Sequence, residues 1–326
     1  MILITGASGQ DGLILSKVLA MMGERVIALG SEGSERLGVK EIVPEVEWMF
    51  SSSNADLPLD EIKSKPKQIF HFAGESSVQK SWEQPTHSTE TNVALSMKII
   101  RFAVKNESKL ILASSSEMYP RQVSVVSESD PIKASSPYGV SKATAFELAQ
   151  LLRNEGRLLV SNLIMFNHES PLRKKQFLTK KLTDQLLQVA DGVRTNISVW
   201  DKSASKDFSW AADFIRPMVS KTMMDLNDDF VLASGKSTTV EELALAGLRL
   251  IGLSVPVLEE RDAAITAAPN PTGNPSKAEK LLGFRKTQDG AEVMRKLIEL
   301  ELKTSGLSQV EAAKIAVKEI AEEVLT

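Results

Sequence analysis

A chain of 326 residues can bury a large core or hold two lobes. Its 39 basic and 42 acidic residues leave a net charge of -3, which gives no reason to expect nucleic acid or an acidic membrane as partner. Cysteine is absent, excluding disulfides, thiolate catalysis and cysteine-based metal sites, and His71, His87 and His168 lack metal-ligand spacing, so no metal is expected.

Short apolar runs alternate with longer amphipathic stretches, the rhythm of strand-helix-strand units and a parallel sheet. Residues 1–4 read as the first strand, with no basic leader before it and no later run apolar enough to span a bilayer, so the chain reads as cytoplasmic. Residues 11–22 read as a helix with Leu13, Ile14, Val18 and Leu19 on one face. Strands follow at 25–29, 46–49 and 68–72, then a long helix through Asn92 and Ile100, a fifth strand at 109–113, a helix at 138–154 and a strand at 158–165. The pattern predicts a doubly wound α/β sheet, a Rossmann fold over residues 1–166 with a return strand near 229–233. Residues 167–326 are expected to form mainly a smaller substrate lobe and C-terminal helices. Within them the sequence predicts a helix at 177–190, a strand at 196–200, a helix from about 210, and a helix opened by Thr238 and Thr239 ahead of Glu241 and Glu242. Pro269, Pro271, Gly273 and Pro275 predict a loop. Ser308 and Glu311 form a capping box, after which Ala313, Val317, Ile320 and Val324 make a stripe expected to dock on the helix's own lobe.

Chemistry concentrates in three places. Thr5-Gly6-Ala7-Ser8-Gly9-Gln10-Asp11-Gly12 leaves a strand and opens a helix. Gly6 permits the tight turn, Gly9 admits a pyrophosphate close to the backbone, and Gly12 lets helix and strand pack, so a dinucleotide is predicted with its phosphates at the helix amino end. At the end of the second strand Glu32 argues for NAD and Arg36 for NADP, while Asp56 and Leu57 stand where adenine is commonly met. Tyr138 and Lys142 lie one helical turn apart, and the ammonium together with the charge of an oxidised nicotinamide is expected to lower the phenol's pKa. Tyr138 could then take a proton from a substrate hydroxyl that Ser115 holds. Glu117 is not needed for plain alcohol oxidation, but elimination needs such a base beside a new ketone.

Carrying these residues, the chain resembles the extended short-chain dehydrogenase/reductase superfamily, and within it the GDP-mannose 4,6-dehydratase family. The likeness rests on Gln10-Asp11-Gly12, Ser76-Ser77-Val78 with Ser81 to Pro85, Ala113 to Tyr119, Ser136-Pro137-Tyr138 with Lys142, and Phe166-Asn167-His168-Glu169-Ser170-Pro171 with Arg173, Phe177, Thr179, Lys180 and Lys181. It covers nearly the whole chain, fading after about residue 255. The resemblance implies NADP or NAD as cofactor and a nucleotide sugar, GDP-mannose, as substrate. Ser115, Glu117, Tyr138 and Lys142 would be the catalytic set; His168 and Arg173 would sit near the cofactor; Ser76, Asn167, Thr179, Lys180, Lys181 and Lys206 would meet the substrate. It also implies a homodimer paired through helices near 92–103 and 138–152. The chain departs from the family's pattern where Lys206 replaces an arginine, Ala268 replaces an arginine before Pro269, and Ser31-Glu32 replaces an arginine pair. An epimerase or reductase of the same superfamily would use Ser115, Tyr138 and Lys142 without Glu117; a non-catalytic nucleotide-sugar-binding homologue would need none of this set.

Overall fold

The computed structural model describes residues 1–35, 38–51, 57–121, 123–253, 257–260, 270–286 and 289–326. Its centre is a seven-stranded sheet in the order Asp229–Leu232, Val160–Met165, Lys109–Ser115, Gln68–His71, Ile2–Thr5, Val26–Ser31, Glu47–Ser51. Every pairing is parallel. Such strands are covered on both faces, which explains why they read as unbroken apolar runs rather than alternating ones. The order reverses between Ile2–Thr5 and Gln68–His71, where Thr5 lies beside His71. Crevices for ligands open beyond the carboxyl ends of strands at such a reversal.

Two apolar layers sandwich the sheet. One joins the helix Gln10–Met21 to the C-terminal helix Gln309–Leu325 and the helix Ala211–Met218. The other lies under the helices Pro85–Asn106 and Pro137–Asn154, which pack along each other. The long helix expected through Asn92 is preceded by a separate short one, Val78–Glu83, because Pro85 starts a new helix at its first position. A third apolar cluster fills the C-terminal lobe, built from Leu182, Leu186, Phe208, Leu243 and Ile298 among others.

Several elements depart from the sequence reading. The strand Ser205–Trp210 was not anticipated; it pairs parallel with Asn167–Glu169 and antiparallel with Ser237–Thr239. The proline-rich loop contains a short strand, Thr272–Gly273, paired with Val125–Val126. The C-terminal helix has its capping box, but its stripe does not dock on the C-terminal lobe alone. It packs against Gln10–Met21 and Val39–Ile42 of the first half as well as Ala211–Met218. Trp210 Nε1 donates to Glu323 Oε2 at 3.0 Å and Arg216 Nη2 to Glu323 O at 2.7 Å, fixing that seat. No helix among the described residues is long and apolar enough to cross a membrane.

Candidate active site

The glycine turn has the shape of a phosphate cradle. Gly6 adopts a left-handed φ of 69°, and a Cβ there would lie 2.6 Å from the Ala73 backbone nitrogen. A Cβ on Gly12 would lie 2.5 Å from Ala7 Cα and from Gly6 O, so only glycine lets the helix press onto the turn. Gly9 is the N-cap and supplies no side-chain cap; a Cβ there would meet only Gly6 O, at 3.3 Å. The open amides of this first turn therefore fit a diphosphate. Ser8 is half-buried in the same turn. Thr5 Oγ1 is bonded to His71 Nδ1 at 2.7 Å, and His71 Nε2 to Ser96 Oγ at 3.2 Å. Burial, helped by the Lys142 charge, pulls that imidazole down to about 3, so His71 is neutral. Leu57 packs into the apolar layer beneath. Arg36, Asp56, Ala268 and Pro269 lie outside the described residues.

Gln10 and Asp11 bind the turn to the C-terminal half. His168 Nε2 lies 3.0 Å from both Asp11 oxygens, and His168 Nδ1 lies 2.8 Å from Phe166 O. Both ring nitrogens face acceptors, the arrangement of an imidazolium. Burial works against that charge, but the Asp11 carboxylate outweighs it and holds His168 above its ordinary value. Burial likewise opposes the Asp11 charge, yet His168, Gln10 and Arg173 together hold its carboxyl below the usual range. Gln10 Nε2 donates to His168 O at 3.1 Å, and Ser170 Oγ donates to Gln10 Oε1 at 2.8 Å. The His168 ring stacks on Phe214 at 4.5 Å.

Ser115, Glu117, Tyr138 and Lys142 converge where the strand Lys109–Ser115 meets the helix Pro137–Asn154. Ser115 caps the turn Ser116–Met118, its Oγ accepting from Glu117 N at 3.2 Å, and its hydroxyl favours the ionised form of the Tyr138 phenol. Ser136 caps the helix by accepting from Gly139 N at 3.0 Å. Lys142 Nζ donates to Ala113 O at 2.8 Å and stands 5.9 Å from the Tyr138 ring centroid. Burial pulls this ammonium down to about 8. Without the nicotinamide charge, the phenol is raised rather than lowered. Burial pushes Tyr138 up to about 12, the Glu117 and Asp11 carboxylates add to the rise, and only Ser115 and Arg173 oppose it.

Sequence reasoning missed the group that joins this helix to the cofactor side. Asn92 Oδ1 accepts from Glu75 N at 2.7 Å, and its Nδ2 donates to Glu75 O and to Ser141 Oγ, each at 3.1 Å. Ser141 Oγ in turn donates to Tyr138 O at 2.7 Å. Ser76 is exposed in the loop so held.

The expected substrate residues divide. Glu117 and Asn167 line one narrow pocket with Tyr119, Arg121 and Asn270. Asn167 Nδ2 donates to Asp207 O at 3.3 Å. Thr179, by contrast, is buried and donates to Glu169 Oε2 at 2.5 Å, an oxygen that also accepts from Arg173 Nε at 3.1 Å. The Arg173 guanidinium lies 3.9 Å over the Phe177 ring. Lys180 pairs with Glu301 and with Asp184, the latter at 3.1 Å. The hydroxyl and the ammonium are thus committed within the lobe. Lys181 is exposed and Lys206 half-buried. Asp207, next to Lys206 in the chain and missed by sequence reasoning, has a buried carboxylate that accepts from Ser234 N, Ser234 Oγ, Gly235 N and Gly273 N at 2.6–3.1 Å. Burial pushes that carboxyl up against these four donors.

The parallel sheet, the glycine cradle and the serine, tyrosine and lysine at the strand end define an extended short-chain dehydrogenase/reductase. The profile of GDP-mannose 4,6 dehydratase matches residues 3–297, and the chain belongs to that family of NAD(P)-dependent nucleotide-sugar dehydratases. GDP-mannose 4,6 dehydratase 1 of Arabidopsis thaliana is 28% identical over 332 residues, covering 94% of this chain and 91% of the relative. Among solved structures, MoeE5 in complex with UDP-glucose and NAD superposes with a TM-score of 0.79 at 23% identity, over 93% of this chain and 99% of the other. UDP-glucose 4-epimerase with UDP-glucose from Thermotoga maritima gives 0.80 at 22%, again over 93% and 99%. At such identities these two show the fold.

Proposed function

We propose that this protein is a nucleotide-sugar 4,6-dehydratase that converts GDP-mannose to GDP-4-keto-6-deoxymannose. The observation that carries the reading is the Glu117 carboxylate, set on a turn capped by Ser115 and within electrostatic reach of the Tyr138 phenol. Two proton-transfer groups at one strand end suit a reaction with two proton removals.

NAD or NADP, held at the Gly6-Gly9-Gly12 turn, would accept hydride from C4 and return it to C6, and its oxidised ring would bring a positive charge that favours the phenolate. Tyr138 Oη takes the proton of the C4 hydroxyl, oriented by Ser115 Oγ. Lys142, anchored on Ala113 O, keeps its ammonium against the same ring. The C4 ketone acidifies C5, and Glu117 removes that proton. The same proton leaves with the C6 hydroxyl as water. The proton held on Tyr138 returns to C5, so the net change is loss of one water.

Glu117→Gln should lower turnover by about 10²- to 10⁴-fold with cofactor and GDP binding preserved. Mass spectrometry of the 4-keto product reads the outcome, and undiminished turnover would refute the role. Inversion at C4, or net consumption of reduced cofactor, would instead identify an epimerase or reductase using Ser115, Tyr138 and Lys142.

The working form we assign is a cytoplasmic homodimer. Val140, Thr144, Glu147 and Leu151 form an exposed stripe on Pro137–Asn154, with Val140 46% and Leu151 58% exposed. Two apolar residues on an open helix face beside Pro85–Asn106 suit pairing with a second copy. Light scattering that finds only a 35.6 kDa species would refute the dimer.

A further inference from the structure

Arg121 stands just beyond the turn that carries Glu117 and serves no role assigned so far. It is half-buried, and its Nε is fully buried with no hydrogen-bond partner. It lines the narrow pocket with Glu117, Tyr119, Asn167 and Asn270, and among the described residues of that lining it is the only cation. Arg173, by contrast, is already engaged, paired with Glu169. The pocket's amides are also partly committed: Asn167 Nδ2 donates to Asp207 O, and Asn270 Nδ2 to Ser205 O.

A guanidinium is always charged and presents its donors as a planar fork. Leaving a buried N–H of such a group without an acceptor is costly, and a functional role or a bound ion is among the explanations such a group calls for. Glu117 lines the same pocket but makes no ion pair with Arg121, consistent with an acceptor that comes from outside the chain. A sugar hydroxyl would satisfy one N–H. A phosphate matches the fork and neutralises the charge.

We infer that Arg121 grips the diphosphate of the nucleotide-sugar substrate and places the attached sugar against Glu117. This rests on the nucleotide-sugar reading above and names the residue on which its affinity depends. Arg121 is a binding residue; Glu117 and Tyr138 keep the chemistry.

The test is calorimetric titration of the full-length protein with GDP, in the wild type, Arg121→Ala and Arg121→Lys, alongside steady-state kinetics with GDP-mannose. Arg121→Ala should weaken GDP by about 10- to 100-fold, the scale of a lost charge-assisted hydrogen bond. Arg121→Lys should lose less, because it keeps the charge without the fork. The loss should appear in KM rather than kcat, with cofactor affinity and melting temperature unchanged. Equal GDP affinity in Arg121→Ala and wild type overturns the inference and leaves the nucleotide-sugar reading standing. A fall in kcat at unchanged GDP affinity also overturns it, since Arg121 would then be serving Glu117. Wild-type protein that binds none of GDP, UDP and dTDP overturns both.

Discussion

Adding a single methyl group at Gly139 should separate the two proton-transfer groups. A Cβ there would lie 2.2 Å from Glu117 O, 3.1 Å from Glu117 C and 3.2 Å from Ala134 Cβ. A tolerable C···O contact is about 3.3 Å, so the gap must open by about 1 Å. The obstructing oxygen is backbone and cannot rotate away alone. Its turn is tied by Glu117 N to Ser115 Oγ, and the helix start by Gly139 N to Ser136 Oγ. The movement therefore passes to the whole turn and carries the Glu117 carboxylate from Tyr138. Overpacking of this kind costs about 1–3 kcal/mol of stability, and a misplacement of about 1 Å costs about 100-fold in rate. Gly139→Ala should accordingly lose about 100-fold in kcat on GDP-mannose, followed by mass spectrometry of the 4-keto product, and about 1–3 kcal/mol in urea unfolding. Cofactor affinity should stay near wild type, because the three atoms nearest the added methyl belong to Glu117 and Ala134 and none to the glycine turn at residues 6–12. A Gly139→Ala protein with undiminished kcat would show that the turn yields without consequence, and the proposed coupling of Glu117 to Tyr138 would be wrong.

The Asp11 and His168 pair should give stability a bounded pH window. His168 is raised above 6.5, so its contribution is full below that value and lost as pH rises through the folded pKa. Asp11 is lowered below 3.8, so its contribution is present above that value and lost as pH falls through the folded pKa. The stability gap between wild type and His168→Asn, from urea melts at stepped pH, should narrow on the alkaline side; a gap that widens there would contradict the ion pair. Arg153→Ala should cost about 3–5 kcal/mol, because it strands the buried Asp229 carboxylate that now accepts from Arg153 Nη1 at 2.7 Å and Nη2 at 2.8 Å. Asp229→Asn on that background should recover part of the loss, and additive losses would show that the two do not act as a pair.

What was legible in the chain was whatever depends on neighbours within a turn or a strand. The glycine spacing, the tyrosine and lysine four apart, and the Ser308 and Glu311 capping box each act over a few residues, and each has its local geometry in the fold. The strand Ser205–Trp210 was hidden because Lys206, Asp207 and Ser209 give it no apolar run. Its polar groups are needed inside, where Asp207 gathers the loops at 234–235 and 273. Thr179 and Lys180 read as substrate grips, but residues far along the chain claimed one of them: Glu301 stands 121 positions from Lys180. The partner of Asp11 lies 157 positions away, and no local pattern announces it.

The same contrast explains the phenol. Along the helix, Lys142 is the charge nearest Tyr138, and with an oxidised nicotinamide it is the basis for expecting a lowered pKa. In space the ammonium is anchored on Ala113 O and lies 5.9 Å from the ring centroid, while two carboxylates, Glu117 and Asp11, act on the buried phenol from other elements. Asp11 is at the site as the clasp to His168, and Glu117 is the second proton acceptor we propose. Burial raises the phenol most and their negative field adds to it, so deprotonation near neutrality must be coupled to filling the site with positive charge. A phenol that ionised near neutrality without cofactor, seen in an ultraviolet titration that a Tyr138→Phe variant lacks, would break that coupling.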